Sequence, residues 1–379
     1  MAGSSSDNAS PSCSGKYRVL ILGGMGFIGQ HLVEFLIRND LVSKVRVVDK
    51  VPPQIAWLNK SRQELFEHPL VEFKSANLIN AASCQSAFTD PEGEYDFVVN
   101  LAAETKSGQS DPVYKEGIVK LSIHCAKEAA KRKVKKYVEL SSGYMHSNEK
   151  KPAKETSKLD PWTFMARFKL MVEEELANIP DLNYVILRPA IVYGIGDKQG
   201  ITPRLIVGAV YKYLGEMMKL LWTKDMKMNT IHVTDLCRAI WHVFTNGSNR
   251  EIYNVVDKGD TTQGKMSSII SEIFNINHDY WGSAMSTLAK TDMKSLVEDI
   301  NDKHMGPWAE LCNKDGISNT PLNPYLYEEF LYDRNIYLDG SKLESTGFCY
   351  EVPNITLDRV KEILQDYAEM GLFPRSLLL

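Results

Sequence analysis

The stretch Tyr17–Gly29, YRVLILGGMGFIG, leaves a chain few choices of fold. Tyr17 to Gly24 is a short apolar run closed by glycines, the pattern of a buried strand. Apolar residues then recur at helical spacing: Ile28, Leu32, Phe35 and Leu36. Between the two, Gly23-x-x-Gly26-x-x-Gly29 joins strand to helix. The first glycine permits a tight turn, the second lets backbone approach a pyrophosphate, and the third lets helix and strand pack closely. The amides that open the helix then face the phosphates. Glycine-rich turns are common, so the spacing gains its weight from the strand before it and the helix after it. The next apolar run, KVRVVDK, ends at Asp49, 20 residues beyond Gly29. A carboxylate there accepts both hydroxyls of an adenosine ribose and repels a 2′-phosphate, which favours NAD over NADP. Lys50 next door softens that preference. The competing reading is an ordinary strand–helix turn with a surface aspartate. Strand, loop, helix and acid all agree with the dinucleotide.

Strands and helices keep alternating through YDFVVNLAAE, the helical stretch YKEGIVKLSIHCAKEAAKRK, KKYVELSS, the helix over Pro161–Ala177 and LNYVILRPAIVYG. This alternation predicts an α/β fold, a doubly wound parallel sheet with helices on both faces. From about Gly194 the pattern loosens. RLIVGAVYKYLGEMMKLLW reads as one long helix, IHVTD as a strand-to-helix turn with Asp235 as helix N-cap, and LDRVKEILQDYAEM as a closing amphipathic helix. Residues 277–335 give no clear pattern, and Trp281 and Trp308 there suit either a pocket or a core. The expected division is a disordered arm over 1–15, a dinucleotide domain over 16–193, and a smaller substrate lobe over 194–379, partly interleaved with it. The Ser-rich opening has no apolar core of a secretory signal. No run long enough to span a membrane is present.

Charge excludes little and suggests less. With 44 basic and 48 acidic residues the net charge is −4, which gives no case for nucleic acid or an anionic membrane. The basic run Lys127–Tyr137 ends a helix and enters a strand, so it reads as solvated surface. Six scattered cysteines without a C-x-x-C pair read as reduced thiols in a cytoplasmic setting, and the histidines form no metal-ligand spacing.

At this point the sequence resembles the extended short-chain dehydrogenase/reductase family, the NAD-dependent epimerase/dehydratase group. The matching stretches are GGMGFIG at 23–29, NLAAET at 100–105, VELSS at 138–142, VILRPAIVYG at 185–194, IHVTDLCRAI at 231–240, YNVVDKGDTTQGKMSSIISEIF at 253–274 and LDGSKLESTGF at 338–348. The resemblance implies a Rossmann domain for NAD and a smaller C-terminal lobe for substrate, such as a nucleotide sugar. It implies that Gly23, Gly26, Phe27, Ile28 and Gly29 cradle the diphosphate. Asn77 and Leu78 should lie beside the adenine, Leu101, Ala102 and Ala103 along the cleft, and Pro189 and Val192 beside the nicotinamide. Ser142 matches the family's catalytic Ser/Thr, and Lys169 the lysine that holds the nicotinamide ribose and lowers a tyrosine's pKa. Homodimers are common in the family, and some members serve as accessory subunits of larger assemblies.

One departure bears on activity. The tyrosine of the family's Tyr-x-x-x-Lys motif is replaced by Met165, a thioether with no exchangeable proton. Loss of a positioned general acid/base typically costs about 10²–10⁴-fold in rate. Gly143 and Tyr144 follow Ser142 where the family's sugar 4,6-dehydratases carry acidic residues, which argues against that branch. Tyr144 is the leading substitute donor, or else a packing aromatic; His146, Glu104 and Lys106 are lesser candidates. Two functions therefore stay open. One is an epimerase or reductase with an atypical proton donor. The other is an NAD(H)-binding scaffold or subunit with little or no chemistry.

Overall fold

The computed structural model describes residues 16–146 and 150–378; the arm expected over 1–15 lies outside them. Its first six strands are β1 (Tyr17–Leu22), β2 (Val42–Asp49), β3 (Val71–Ser75), β4 (Phe97–Asn100), β5 (Lys136–Leu140) and β6 (Tyr184–Pro189). Five short ones come after them: β7 (Ile191–Tyr193), β8 (Met218–Leu220), β9 (Thr230–His232), β10 (Glu251–Val255) and β11 (His278–Tyr280). Seven of them form one parallel sheet in the order β10-β6-β5-β4-β1-β2-β3. The doubly wound sheet expected from the alternation is thus present, and its seventh strand comes from residues 251–255.

The sequence dictates burial on both faces. Val19 and Ile21 of β1 enter one hydrophobic core, while Leu20 and Leu22 enter the other, as strand alternation requires. Leu32, Val33 and Leu36 of the helix Phe27–Arg38 share the first core with Leu236, Ile240 and Val243 of the helix Val233–Asn246. The second core is covered by the helices Ala81–Phe88, Leu121–Lys131 and Phe164–Leu176. Strand order reverses between β1 and β4, where a doubly wound sheet opens its ligand crevice at the carboxyl ends. Register places Leu22 opposite both Val48 and Asn100, and Leu140 opposite Leu187. Gly23, Asp49, Leu101, Ser142 and Pro189 therefore emerge along one edge.

Several local expectations need correction. The long helix read from Arg204 to Trp222 is a helix over Thr202–Leu214 that stops at Gly215, whose φ of 66° is left-handed and closes the helix. Beyond that stop the chain enters β8, paired in parallel with β11. Asp235 is not an N-cap: His232 caps the helix Val233–Asn246 through Thr234 N. The Asp235 carboxylate instead accepts the amides of Glu351 and Val352, at 2.9 and 2.7 Å, fastening the C-terminal segment. The unread region 277–335 contains the helix Met293–Lys314 with Pro307 inside it, and Trp308 there fills core. Lys127, Lys131, Lys133 and Lys135 of the basic run are exposed.

Candidate dinucleotide and substrate site

Each glycine of the loop meets a different constraint. Gly23 has φ 76°, and a Cβ there would lie 2.5 Å from Ala102 N. A Cβ on Gly29 would lie 2.4 Å from Gly24 Cα, so helix and loop touch backbone to backbone. At Gly26 it would approach only Gly23 O, at 3.3 Å, so the space above it is open. Gly26 is also the N-cap of the helix Phe27–Arg38 and supplies no side-chain cap, so no side-chain oxygen occupies the first-turn amides. An open backbone cradle at a helix start is what a diphosphate requires. Asp49 lies at the carboxyl end of β2, its two oxygens accepting Met25 N at 3.1 Å and Val51 N at 3.0 Å. The carboxylate is fixed in place, and each oxygen keeps a lone pair for a ribose hydroxyl. The residues present thus fit a dinucleotide.

The other expected contacts fall along the same edge with unequal promise. Phe27, Ile28, Leu101, Ala102, Ala103 and Val192 are half-buried, and Leu78 and Pro189 are buried. Asn77 is exposed, but its side-chain oxygen already accepts Ile79 N at 3.1 Å, leaving its amide NH2 as the free donor.

Lys169 is committed elsewhere. Its Nζ lies 2.9 Å from Glu139 Oε1, with side chains 4% and 0% exposed. Glu139 also accepts Ser122 Oγ at 3.0 Å, Asn100 Nδ2 at 2.9 Å and the Tyr137 hydroxyl at 2.9 Å. Four donors on two strands and two helices therefore converge on one buried carboxylate. A second buried pair lies beside it: Arg188 holds Glu173 through two bonds of 3.0 and 2.5 Å, and Ser141 Oγ donates to the same carboxylate. The sequence reading missed Glu139, although a glutamate inside the apolar strand KYVELSS was a signal, because such a charge must find a partner.

Met165, at the absent tyrosine's position, is half-buried and packs against the second core. Its helix is opened by Thr163, which accepts Ala166 N, and by the buried Glu329, which accepts Phe164 N at 2.8 Å. Tyr144 N donates to Ser142 Oγ at 3.2 Å. The Tyr144 ring stands against Trp162 at 5.0 Å and Phe330 at 5.8 Å, so it packs while its hydroxyl has no bonded partner among the described residues. Burial, with help from Asp197 and Glu329, pushes its phenol up to about 12, against the pull of Arg204. His146, a lesser candidate, is buried at 2% exposure, and its Nδ1 lies 2.9 Å from Lys158 O. Glu104 accepts the amide of Lys106 at 3.0 Å. Among the described residues no group of three or more acidic, histidine or cysteine side chains is placed to hold a metal.

The sheet, its crevice and the glycine cradle define a dinucleotide-fold α/β protein. The chain belongs to the NAD dependent epimerase/dehydratase family, whose model matches residues 19–256. Among curated relatives it is 29% identical over 199 residues to a probable UDP-arabinose 4-epimerase 3 of Arabidopsis thaliana, covering 50% of this chain and 47% of that protein. It is 28% identical over 213 residues to a bifunctional UDP-glucose and UDP-xylose 4-epimerase of Pisum sativum, covering 53% of this chain and 60% of that protein. The chain thus spans about half the length of the curated relatives it matches. Among solved structures, these two share the fold. A UDP-N-acetylglucosamine 4-epimerase of Methanobrevibacter ruminantium has TM-score 0.67 and 18% identity, covering 93% of this chain and 99% of that one. The Thermus thermophilus UDP-glucose 4-epimerase complex with NAD has TM-score 0.64 and 20% identity over the same shares.

Proposed function

We propose that this chain binds NAD(H), in preference to NADP(H), and acts as an epimerase or reductase on a hydroxyl or carbonyl of a nucleotide-sugar substrate, with Tyr144 as the proton-carrying group. The observation that carries this reading is the open, uncapped glycine cradle with Asp49 fixed at its rim. Bound NAD supplies a hydride acceptor, and its reduced form a donor. Ser142 Oγ accepts the Tyr144 amide and keeps its own proton to donate to a substrate oxygen. A phenol raised to about 12 holds its proton at neutral pH, so Tyr144 suits giving a proton to a developing alkoxide better than taking one. Substrate would lie between the dinucleotide domain, 16–193, and the lobe formed by 194–379. A cytoplasmic location and a homodimer or larger assembly complete the proposal; among the described residues no helix is long and apolar enough to cross a membrane.

Calorimetric titration with NAD and NADP tests the cradle, with NAD binding more tightly. Turnover of UDP-sugars, followed by product analysis, tests the chemistry. Tyr144→Phe should lower turnover by about 10²-fold or more while NAD affinity holds. Unchanged turnover in Tyr144→Phe removes Tyr144 from the mechanism.

A second reading has a specific observation in its favour. Glu139 compensates the Lys169 charge, and Met165 offers no proton, so the site lacks the lysine–phenol pair that the family resemblance implies. On this reading the dinucleotide stabilises the native fold by binding it alone, and the surface serves an assembly. NAD binding with no turnover on any UDP-sugar selects it.

A further inference from the structure

Arg204 is the third residue of the helix Thr202–Leu214 and is half-buried. Every other arginine among the described residues has a carboxylate, a carbonyl or an aromatic ring as partner. Among those residues Arg204 has none. Burial pushes its guanidinium down, and the only group acting the other way is Tyr144. The two carboxylates that act on Tyr144, Asp197 and Glu329, are bonded elsewhere. Asp197 accepts the amides of Gln199, Gly200, Ile201 and Thr202. Glu329 accepts Phe164 N. The loop before the helix folds back tightly on β7, since a Cβ on Gly200 would lie 2.2 Å from Val192 O. The start of the helix therefore lies just past the carboxyl end of β6, and Arg204 is within electrostatic reach of Tyr144, two positions beyond Ser142. Around Tyr144, Trp162 and Phe330 make an aromatic wall, with centroids 5.0, 5.8 and 6.5 Å apart.

A half-buried guanidinium that no protein group balances is open to a ligand that supplies its counter-charge. We propose that Arg204 recognises a carboxylate carried by the substrate next to its reacting hydroxyl or carbonyl, so that the substrate class is acidic sugars. The planar fork of arginine matches a carboxylate through two parallel bonds. One cation balances one monoanion. A phosphate monoester would leave excess negative charge close to Asp197 and Glu329. The aromatic wall suits the apolar face of a sugar ring. This inference rests on the nucleotide-sugar reading above, and the test separates the two.

The test is calorimetric titration of wild type, Arg204→Met and Arg204→Lys in the presence of NAD, with UDP, UDP-glucose, UDP-glucuronate and free D-glucuronate as probes. A charge-assisted bidentate contact predicts that wild type binds UDP-glucuronate at least about tenfold more tightly than UDP-glucose. Arg204→Met should lose that preference with its affinity for UDP unchanged, and Arg204→Lys should regain part of it. Thermal unfolding of both variants controls for folding. Equal affinities in wild type, or a preference that survives Arg204→Met, overturn the proposal. Arg204→Met weakening UDP and both sugars alike also overturns it, since Arg204 then reads the diphosphate. If no UDP compound binds but D-glucuronate saturates wild type and not Arg204→Met, the carboxylate site stands and the nucleotide part of the substrate is wrong. If nothing binds, both fall.

Discussion

Glu139 is the buried acceptor that pairs with the Lys169 ammonium. Removing it by Glu139→Ala leaves the Lys169 ammonium, the Tyr137 hydroxyl, Asn100 and Ser122 without their common acceptor. Breaking one side of a buried ion pair costs about 3–5 kcal/mol, so urea unfolding should show a loss of that order. The pair also governs what a restored tyrosine would do. An ammonium lowers a nearby phenol's pKa only while its charge is uncompensated. Met165→Tyr alone should therefore add a phenol that titrates near the ordinary value of about 10. Combining it with Glu139→Gln should bring that phenol down by a unit or more in an ultraviolet pH titration, roughly the effect of a nearby opposite charge. A phenol already lowered in Met165→Tyr alone would show that Glu139 does not neutralise Lys169.

At the scale of elements, the loop between β1 and its helix separates two kinds of glycine. Gly29→Ala drives a methyl to 2.4 Å from Gly24 Cα and should destabilise the fold by about 1–3 kcal/mol, read as a shift in denaturation midpoint. Gly26→Ala meets only Gly23 O, at 3.3 Å, so it should change stability little. It nonetheless puts a methyl where the diphosphate would come closest, and NAD affinity should fall sharply in calorimetry. This element was legible from sequence because its determinants lie within a few dozen residues: strand, turn, helix start and acid succeed one another. The Lys169–Glu139 pair was not, because two strands and two helices must assemble before a lysine at 169 meets a glutamate at 139. Arg204 was read only as part of a long helix, since an unpaired charge is defined by what surrounds it. The helix containing Pro307 escaped because a proline inside a helical pattern normally marks its end. The overextended helix past Leu214 failed at Gly215, whose left-handed φ overrides the apolar residues beyond it.

Over the whole molecule, buried imidazoles set the acid limit. Burial, then Arg62, lowers His31 to about 3. Burial leads also for His232, with Arg359, and for His304, with Lys303, each lowered to about 4. An unfolded imidazole binds its proton near 6.5, whereas these folded ones refuse it until pH 3–4. Between those limits the unfolded chain holds more protons, so stability is full above 6.5 and falls as pH drops. Asp257, raised by burial from 3.8 to about 6, works the other way, because its folded form keeps a proton that the unfolded form loses. Burial also raises Asp197 and Asp366, which act with Asp257, and lowers His242, which acts with the other imidazoles. Unfolded imidazoles titrate between about pH 7 and 5 whereas unfolded carboxylates stay ionised there, so the urea midpoint should be lower at about pH 5 than at about pH 7. A midpoint that rises on acidification would mean that these histidines accept protons in the native state.

The seventh strand of the sheet has a consequence for the order of synthesis. A nascent chain that has emerged only as far as Tyr193 carries β6 with one flank bare, since its neighbour β10 begins 58 residues later. That flank offers unpaired amides and carbonyls to any passing strand. Completion of the sheet therefore waits for residues 251–255, and a fragment ending at Tyr193 should aggregate rather than stand alone.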